Sequence, residues 1–361
     1  MDYKNRIQQL INTIDDSLID FSIERTRNSA PTQVSSEFLT NKEQGDWAEK
    51  TLLRGINSNS KKYVAVKYGR DDDLIAGEKG FNEFYEQYQN ELDTIGKRPD
   101  ILLFKKSDFP YSETNISHFP IEKLDEIVPK AICGIEVRSS AFLINKYEDY
   151  MEKRNSEILC NIYRTKEQIL GQYGDILKTK KLELYNIVSS ICNDNLDVIS
   201  FRTPSWRVTS ELNELSDLLK YLNKNIKDLS KRTYLSITPK VEDIKVVYNW
   251  VQKYNVPHYY VQVFFDRAYG ISYENILQLL THPEEEGKRY TIEKDVKNQY
   301  KTTIKIRANS EANILTKIDL PEHCSQMKEL GRGRLLYFVR FKDSCSVLNK
   351  DTFERLFGVS L

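Results

Sequence analysis

The chain has 361 residues, 40% of them hydrophobic, and its 53 Lys+Arg balance 53 Asp+Glu. That apolar share is too high for a disordered chain, and no apolar run approaches the ~18–20 residues that cross a bilayer. Met1-Asp2-Tyr3-Lys4-Asn5-Arg6 leads into no apolar h-region, and the five cysteines include no CxxC pair, so neither an export signal, a disulfide framework nor a structural zinc site is expected.

The expectation is a cytoplasmic protein with reduced thiols and one large domain or two smaller ones. Residues 2–20 predict an amphipathic helix, with Ile7, Leu10, Ile11, Ile14 and Leu18 on one face. A polar stretch from Thr26 to Gln33 precedes a second helix over Asn41–Ile56, ending near Gly55. Lys62–Tyr68 alternates as a strand, Gly69–Gly80 is a charged turn region, and Phe81–Leu92 carries a helical stripe. Ile101–Phe104 is a short apolar run, residues 105–130 with Pro110, Pro120 and Pro129 read as loop, and Ala131–Arg138 is a second buried strand. Tyr147 to about Ile191 is helical. Over 209–231, Leu212, Leu215, Leu219, Leu222, Ile226 and Leu229 form a heptad seam. Tyr234–Thr238 reads as a strand, Val241–Tyr254 as a helix, and Pro257–Phe265 is the strongest strand signal. The tail mixes short helices and strands. The pattern predicts an α/β core over 1–270, interrupted by a helical hairpin at 145–233, and a basic C-terminal region at 271–361.

The chemistry-bearing candidates are carboxylates on two apolar runs. Asp100 stands at the mouth of Ile101–Phe104, and Glu136 lies inside Ile132–Val137 with Arg138 two residues on. Residues i and i+2 of a strand share a face, so Glu136 and Arg138 project together. A carboxylate among apolar neighbours needs a compensating charge, and a cation with oxygen ligands, such as Mg²⁺, supplies one. Such a centre suits metal-assisted phosphodiester hydrolysis without a covalent intermediate. Two plainer readings fit the same residues: Pro99-Asp100 as a turn opening a strand, and Glu136–Arg138 as a same-face ion pair.

The order of pieces adds to this. GDWAE (45–49) is followed by GKRPDILLF (96–104), GIEVRSS (134–140), LSITPKVEDIKVVYNW (235–250) and NVPHYYVQVFFD (255–266). Over roughly residues 40–280 this succession resembles the type II restriction endonucleases of the PD-(D/E)xK superfamily, most closely the AccI-like group. The resemblance implies an α/β fold with a PD-(D/E)xK restriction-endonuclease-like mixed central sheet flanked by helices. It also implies a Mg²⁺-dependent cleaver of double-stranded DNA, working as a homodimer on a short, near-palindromic site, with no membrane and no nucleotide cofactor. Asp100 matches the acid of the PD half-motif as a metal ligand. Glu136 matches the second acid, as ligand of the metal and of the attacking water, and Glu49 the helix glutamate beside the metal. The third position departs from the pattern, because Arg138 stands where the motif asks for Lys. Arginine stays charged, so it can clamp a phosphate but cannot accept a proton. Lys240, after the strand 234–238, is the alternative, and Lys146 a third choice. Glu242 and Asp243 read as structural acids at a helix start, and His258 as a structural histidine.

For DNA contact, Ser139 and Ser140 follow the Glu136 strand and suit a phosphate. Residues 287–342 hold thirteen Lys/Arg against six Asp/Glu, a local basic excess in a neutral protein. Alternation puts Lys301, Lys305 and Arg307 on one strand face, and Gly331-Arg332-Gly333-Arg334 is a turn that can present arginines to a groove. A solvated basic surface explains the same residues equally well. Two other functions stay open at this stage: a sequence-specific DNA-binding protein with an inactive centre, and a helical interaction protein working through 145–233.

Overall fold

The short apolar runs become strands because each is bounded by turn residues and buries side chains on both faces. The computed structural model describes every residue except 1, 24, 71–73, 197, 207–208, 230, 232, 296–300 and 343, and the side chains of 294, 295, 301 and 332. The chain opens with α1 (Tyr3–Ile11), α2 (Ser36–Asn59), β1 (Tyr63–Lys67), α3 (Phe81–Thr94), β2 (Ile101–Lys105), α4 (Ile121–Ile127) and β3 (Cys133–Ser140). It continues through α5 (Ile144–Lys180), α6 (Leu182–Ser190), α7 (Ser210–Leu229), β4 (Ser236–Ile237), α8 (Val241–Tyr254), β5 (His258–Phe264) and β6 (Arg267–Ser272). It ends with α9 (Tyr273–Leu280), β7 (Tyr290–Asp295), β8 (Lys301–Arg307), α10 (Ala308–Glu311), β9 (Asn313–Ile318), β10 (His323–Leu330), β11 (Arg334–Phe341), β12 (Ser346–Leu348) and α11 (Lys350–Phe357).

The central sheet is mixed, in the order β1-β2-β3-β5-β6-β9-β12. Its neighbours pair antiparallel except β3 and β5, which run parallel. Alternation sends Leu102, Phe104, Tyr260 and Phe264 to one face, against Ile244, Val247 and Trp250 of α8 and Ile7 of α1. Ile101, Leu103, Ile135, Val261 and Val263 go to the other, against Trp47, Leu52 and Ile56 of α2 and Phe353 of α11. The sheet is therefore flanked by helices on both faces.

Two compact units divide the chain: Met1–Ile144 with Leu235–Leu361, and Asn145–Tyr234. In the second, the α7 seam Leu212, Leu215, Leu219, Leu222 and Ile226 is buried with Ile158, Ile162, Ile169 and Leu177 of α5, so the heptad closes the hairpin on itself. Residues beyond 270 belong to the first unit. β9 and β12 extend the central sheet, β4, β8 and β7 form a three-stranded sheet, and β10–β11 make a hairpin. That hairpin lies on α2, where the Val339 N–H donates to Thr40 Oγ1 at 3.2 Å and Leu336 packs with Leu39.

Two local expectations are corrected. The helix foreseen over 2–20 stops at Ile11. Beyond it, the Asp15 and Asp20 carboxylates each take the N–H two residues on at 2.8 Å, a local bond that replaces helical ones, while Ile14 and Ile19 stay buried. The segment 105–130 is not all loop, since α4 buries Leu124 and Ile127. The prolines that argued for a loop flank it: Pro120 is its N-cap and Pro129 falls in the 3₁₀ turn that follows.

One close approach fixes the strand-edge loop against α8. Gly96 has φ +89°, and a Cβ there would stand 2.2 Å from the Val246 carbonyl oxygen and 2.6 Å from Trp250 N. The next residue donates its N–H to that same carbonyl, Lys97 N to Val246 O, at 3.0 Å. Gly96→Ala is expected to cost roughly 2–4 kcal/mol, read as a lower denaturation midpoint at unchanged m-value. A loss below about 0.5 kcal/mol would show that the loop is not held this way.

Candidate functional site

β3 lies between β2 and β5, so its side chains are enclosed on both sides. Glu136 pairs with Tyr260 and Arg138 with Gln262 across to β5, and both project to the α8 face. On the other side Ile101 pairs with Ile135. Continuing that register by one residue sets Asp100 opposite Glu136, and the Val137 N–H donates to Asp100 Oδ2 at 2.6 Å. Asp100, Glu136, Arg138, Ser139, Lys240 and Glu49 all line one cleft of about 890 Å³.

Glu136 is 2% exposed. A charge so buried requires partners, and two cations provide them at one oxygen. Lys97 Nζ lies 2.6 Å and Arg138 Nη2 3.0 Å from Oε1. Both cations also meet Asp243 in the first turn of α8, Lys97 at 3.1 Å from Oδ2 and Arg138 through Nη2. The result is a closed ring of two carboxylates and two cations. Burial acts to raise the Asp243 pKa, but Lys97 and Arg138, with Lys240 beyond them, hold it below the usual carboxylate range. Burial and Arg138 act against the charge on Lys97, yet Asp243 and Glu136 hold its pKa above the usual lysine value.

Asp100 has the opposite surroundings. Burial first, then the charges of Glu136 and Glu49, push its pKa well above the usual range, offset only in part by Lys97 and the Val137 N–H. In addition, Glu136 Oε2 is buried with no hydrogen-bond partner among the described residues. The site thus carries a poorly compensated carboxylate and an orphaned carboxylate oxygen side by side. These hard oxygen donors fit Mg²⁺, which binds through one or two carboxylates and keeps several waters. They do not form a full protein cage, since no group of three or more His, Cys, Asp or Glu stands ready for a metal among the described residues.

The remaining candidates are spread more widely. Ser140 ends β3. Lys305 and Arg307 lie on β8 on the face opposite buried Ile304 and Ile306, as the alternation predicts. β8 joins the segment entering α8, with Ile304 N bonded to Pro239 O at 2.9 Å and Thr302 N to Glu242 Oε1 at 3.1 Å. Arg334 begins β11, is exposed, and reaches Gln33 at 3.4 Å. The side chains of Lys301 and Arg332 lie outside the described residues. Lys146 is exposed in the helical unit. His258 is fully buried among Trp250, Tyr260 and Tyr273, and burial, reinforced by Lys97 and Arg138, lowers its pKa to about 3, so the ring stays neutral.

Two members of the ionic ring were not among the sequence candidates. Lys97 sits in the quoted GKRPD but reads there as one more loop cation. Asp243 reads as a helix-start acid, and its carboxylate instead faces the sheet. The one signal for either was proximity to motif residues: three positions before Asp100, and three after Lys240.

Among the described residues no helix is long and apolar enough to cross a membrane. No curated protein and no solved structure matches the chain. The family model of the AccI restriction endonuclease matches residues 1–360, a span that takes in both carboxylate strands, the helical unit and the C-terminal strands. The chain belongs to that family and is a type II restriction endonuclease, a site-specific deoxyribonuclease that hydrolyses its DNA substrate.

Proposed function

We propose that this enzyme cuts double-stranded DNA at a short, near-palindromic site, with Mg²⁺, on a PD-(D/E)xK catalytic core. The observation that carries this reading is the pairing of Asp100 and Glu136 beside each other in one cleft, the first with its charge only partly offset and the second with an oxygen that has no hydrogen-bond partner among the described residues. Asp100 and Glu136 would hold the ion, with Glu49 beside them. When bound, Mg²⁺ supplies Lewis-acid chemistry, acidifying water and neutralising charge on the attacked phosphate. In the reaction a water oxygen forms a new bond to phosphorus. The bond to the leaving sugar oxygen breaks with its electron pair, and that oxygen ends protonated. Arg138 clamps a phosphate oxygen, and Lys240 adds positive potential from the α8 end of the cleft. Ser139 and Ser140 hold the adjacent backbone. The β8 cations and the Gly331–Arg334 turn track the phosphates on either side. A homodimer suits a target with twofold symmetry, each copy cutting one strand.

Asp100→Ala is expected to lower cleavage by roughly 10²–10³-fold or more while leaving specific duplex binding in Ca²⁺ within a few-fold of wild type. Chelation by EDTA should abolish cleavage, and Mg²⁺ should restore it. Full nicking by the variant removes Asp100 from the centre.

The same carboxylate gives a stability test. Asp100→Asn removes a carboxyl whose ionised form burial and two neighbouring acids disfavour, which should stabilise the metal-free protein, and keeps the oxygen that accepts from Val137. Its Tm in EDTA should rise by roughly 2–4 °C. The rise that Ca²⁺ or Mg²⁺ gives the wild type should shrink. A lower Tm in EDTA with an undiminished metal response contradicts the metal assignment.

Replacing Lys305 and Arg307 together by Gln should reduce the slope of log K against log salt by about 2 if both meet phosphates. An unchanged slope assigns them to solvent.

A further inference from the structure

The ring around Glu136 contains a lysine where the sequence motif has none. Lys97 Nζ is the ammonium closest to the catalytic acid, 2.6 Å from Glu136 Oε1. It lines the cleft together with Asp100 and Glu136, and its side chain is 16% exposed. Its backbone is immobilised by the Gly96 approach to α8 and by the bond to Val246 O. Its side chain is held by Asp243, which α8 delivers to 3.1 Å. Arg138 occupies the motif position, and its Nη2 meets the same two carboxylates, so both cations of the ring stand beside the paired acids.

We infer that Lys97 is a catalytic residue of the hydrolysis, its ammonium contacting a non-bridging oxygen of the scissile phosphate, with Asp243 as the residue that positions it. The inference rests on the proposed Asp100–Glu136 centre and adds the cation that the motif lacks at position 138. A lysine three residues before the first acid reaches the place that a lysine two residues after the second acid would otherwise fill. It can do so because β2 and β3 are antiparallel neighbours, so the entry to β2 and the exit of β3 lie at the same end of the sheet. A compact ammonium on a flexible stem suits a single phosphate oxygen, whereas a planar guanidinium suits a bidentate clamp. The two cations therefore divide the work, Lys97 on a single oxygen of the reacting phosphate and Arg138 as the clamp.

The test uses the full-length enzyme and a duplex carrying its cut site, located beforehand by sequencing digest ends. Single-turnover cleavage at saturating enzyme is compared with duplex binding in Ca²⁺ for Lys97→Met, Lys97→Arg, Asp243→Asn and Asp100→Asn. Lys97→Met should slow the single-turnover rate by about 100-fold or more and reduce the salt slope of binding by about one. Lys97→Arg keeps the positive charge, with its Tm checking the fold, and should still slow cleavage by at least about tenfold, because the planar fork does not fit an ammonium's place. Asp243→Asn should slow cleavage with little change in affinity. Lys97→Arg cleaving within about threefold of wild type overturns the proposal, since a positive charge of any shape would then be enough. So does Lys97→Met with an unchanged rate and salt slope. If Asp100→Asn loses cleavage in either case, the proposed centre stands and only the role of Lys97 falls. If Asp100→Asn cleaves normally, the centre itself is wrong.

Discussion

A carboxylate enclosed within a sheet is the constraint from which the rest of the structure follows. Glu136 lies on a strand with neighbours on both sides and is almost fully removed from water. Such a charge is tolerable only with close, well-oriented partners. Its partners are Lys97 from the loop before β2 and Arg138 from β3 itself, and both are held in turn by Asp243 in the first turn of α8. Satisfying one acid therefore docks a helix, a loop and a strand together. Gly96 allows that docking, since any side chain there would strike the α8 backbone.

The same arrangement separates two kinds of acid within one cleft. Asp243 sits between Lys97 and Arg138 and is held ionised. Asp100 faces Glu136 and Glu49 and is driven toward its protonated form. Opposite environments within one cleft are a common mark of functional sites, because stability alone favours neither an orphaned oxygen nor repelling acids. The zero formal charge of the whole chain hides this local separation of charge.

The sequence made the strands legible because their apolar residues alternate or run continuously between turn residues. The order of GDWAE, GKRPD and GIEVR marked the carboxylates and the family. It did not show that Lys97 and Asp243 meet, because they lie 146 residues apart and their contact depends on how α8 docks. Local rules misled where tertiary packing or local bonding won. Local bonds at Asp15 and Asp20 stand, beyond Ile11, where hydrophobic spacing would continue a helix. Pro120 starts one where proline suggested only loop. The helical hairpin was readable because a heptad seam records its own partner, and that partner is α5 in the same unit.

β3 and β5 are parallel neighbours, which obliges the chain to travel from one end of the sheet back to the other between Ser140 and His258. The Asn145–Tyr234 unit falls within that obligatory return. Lengthening an existing connection costs little, about 0.6 kcal/mol for each doubling. Strand register is fixed on either side of the connection and not by its length. This stretch is thus a place where the polypeptide tolerates a module of variable length while the strands on either side keep their register.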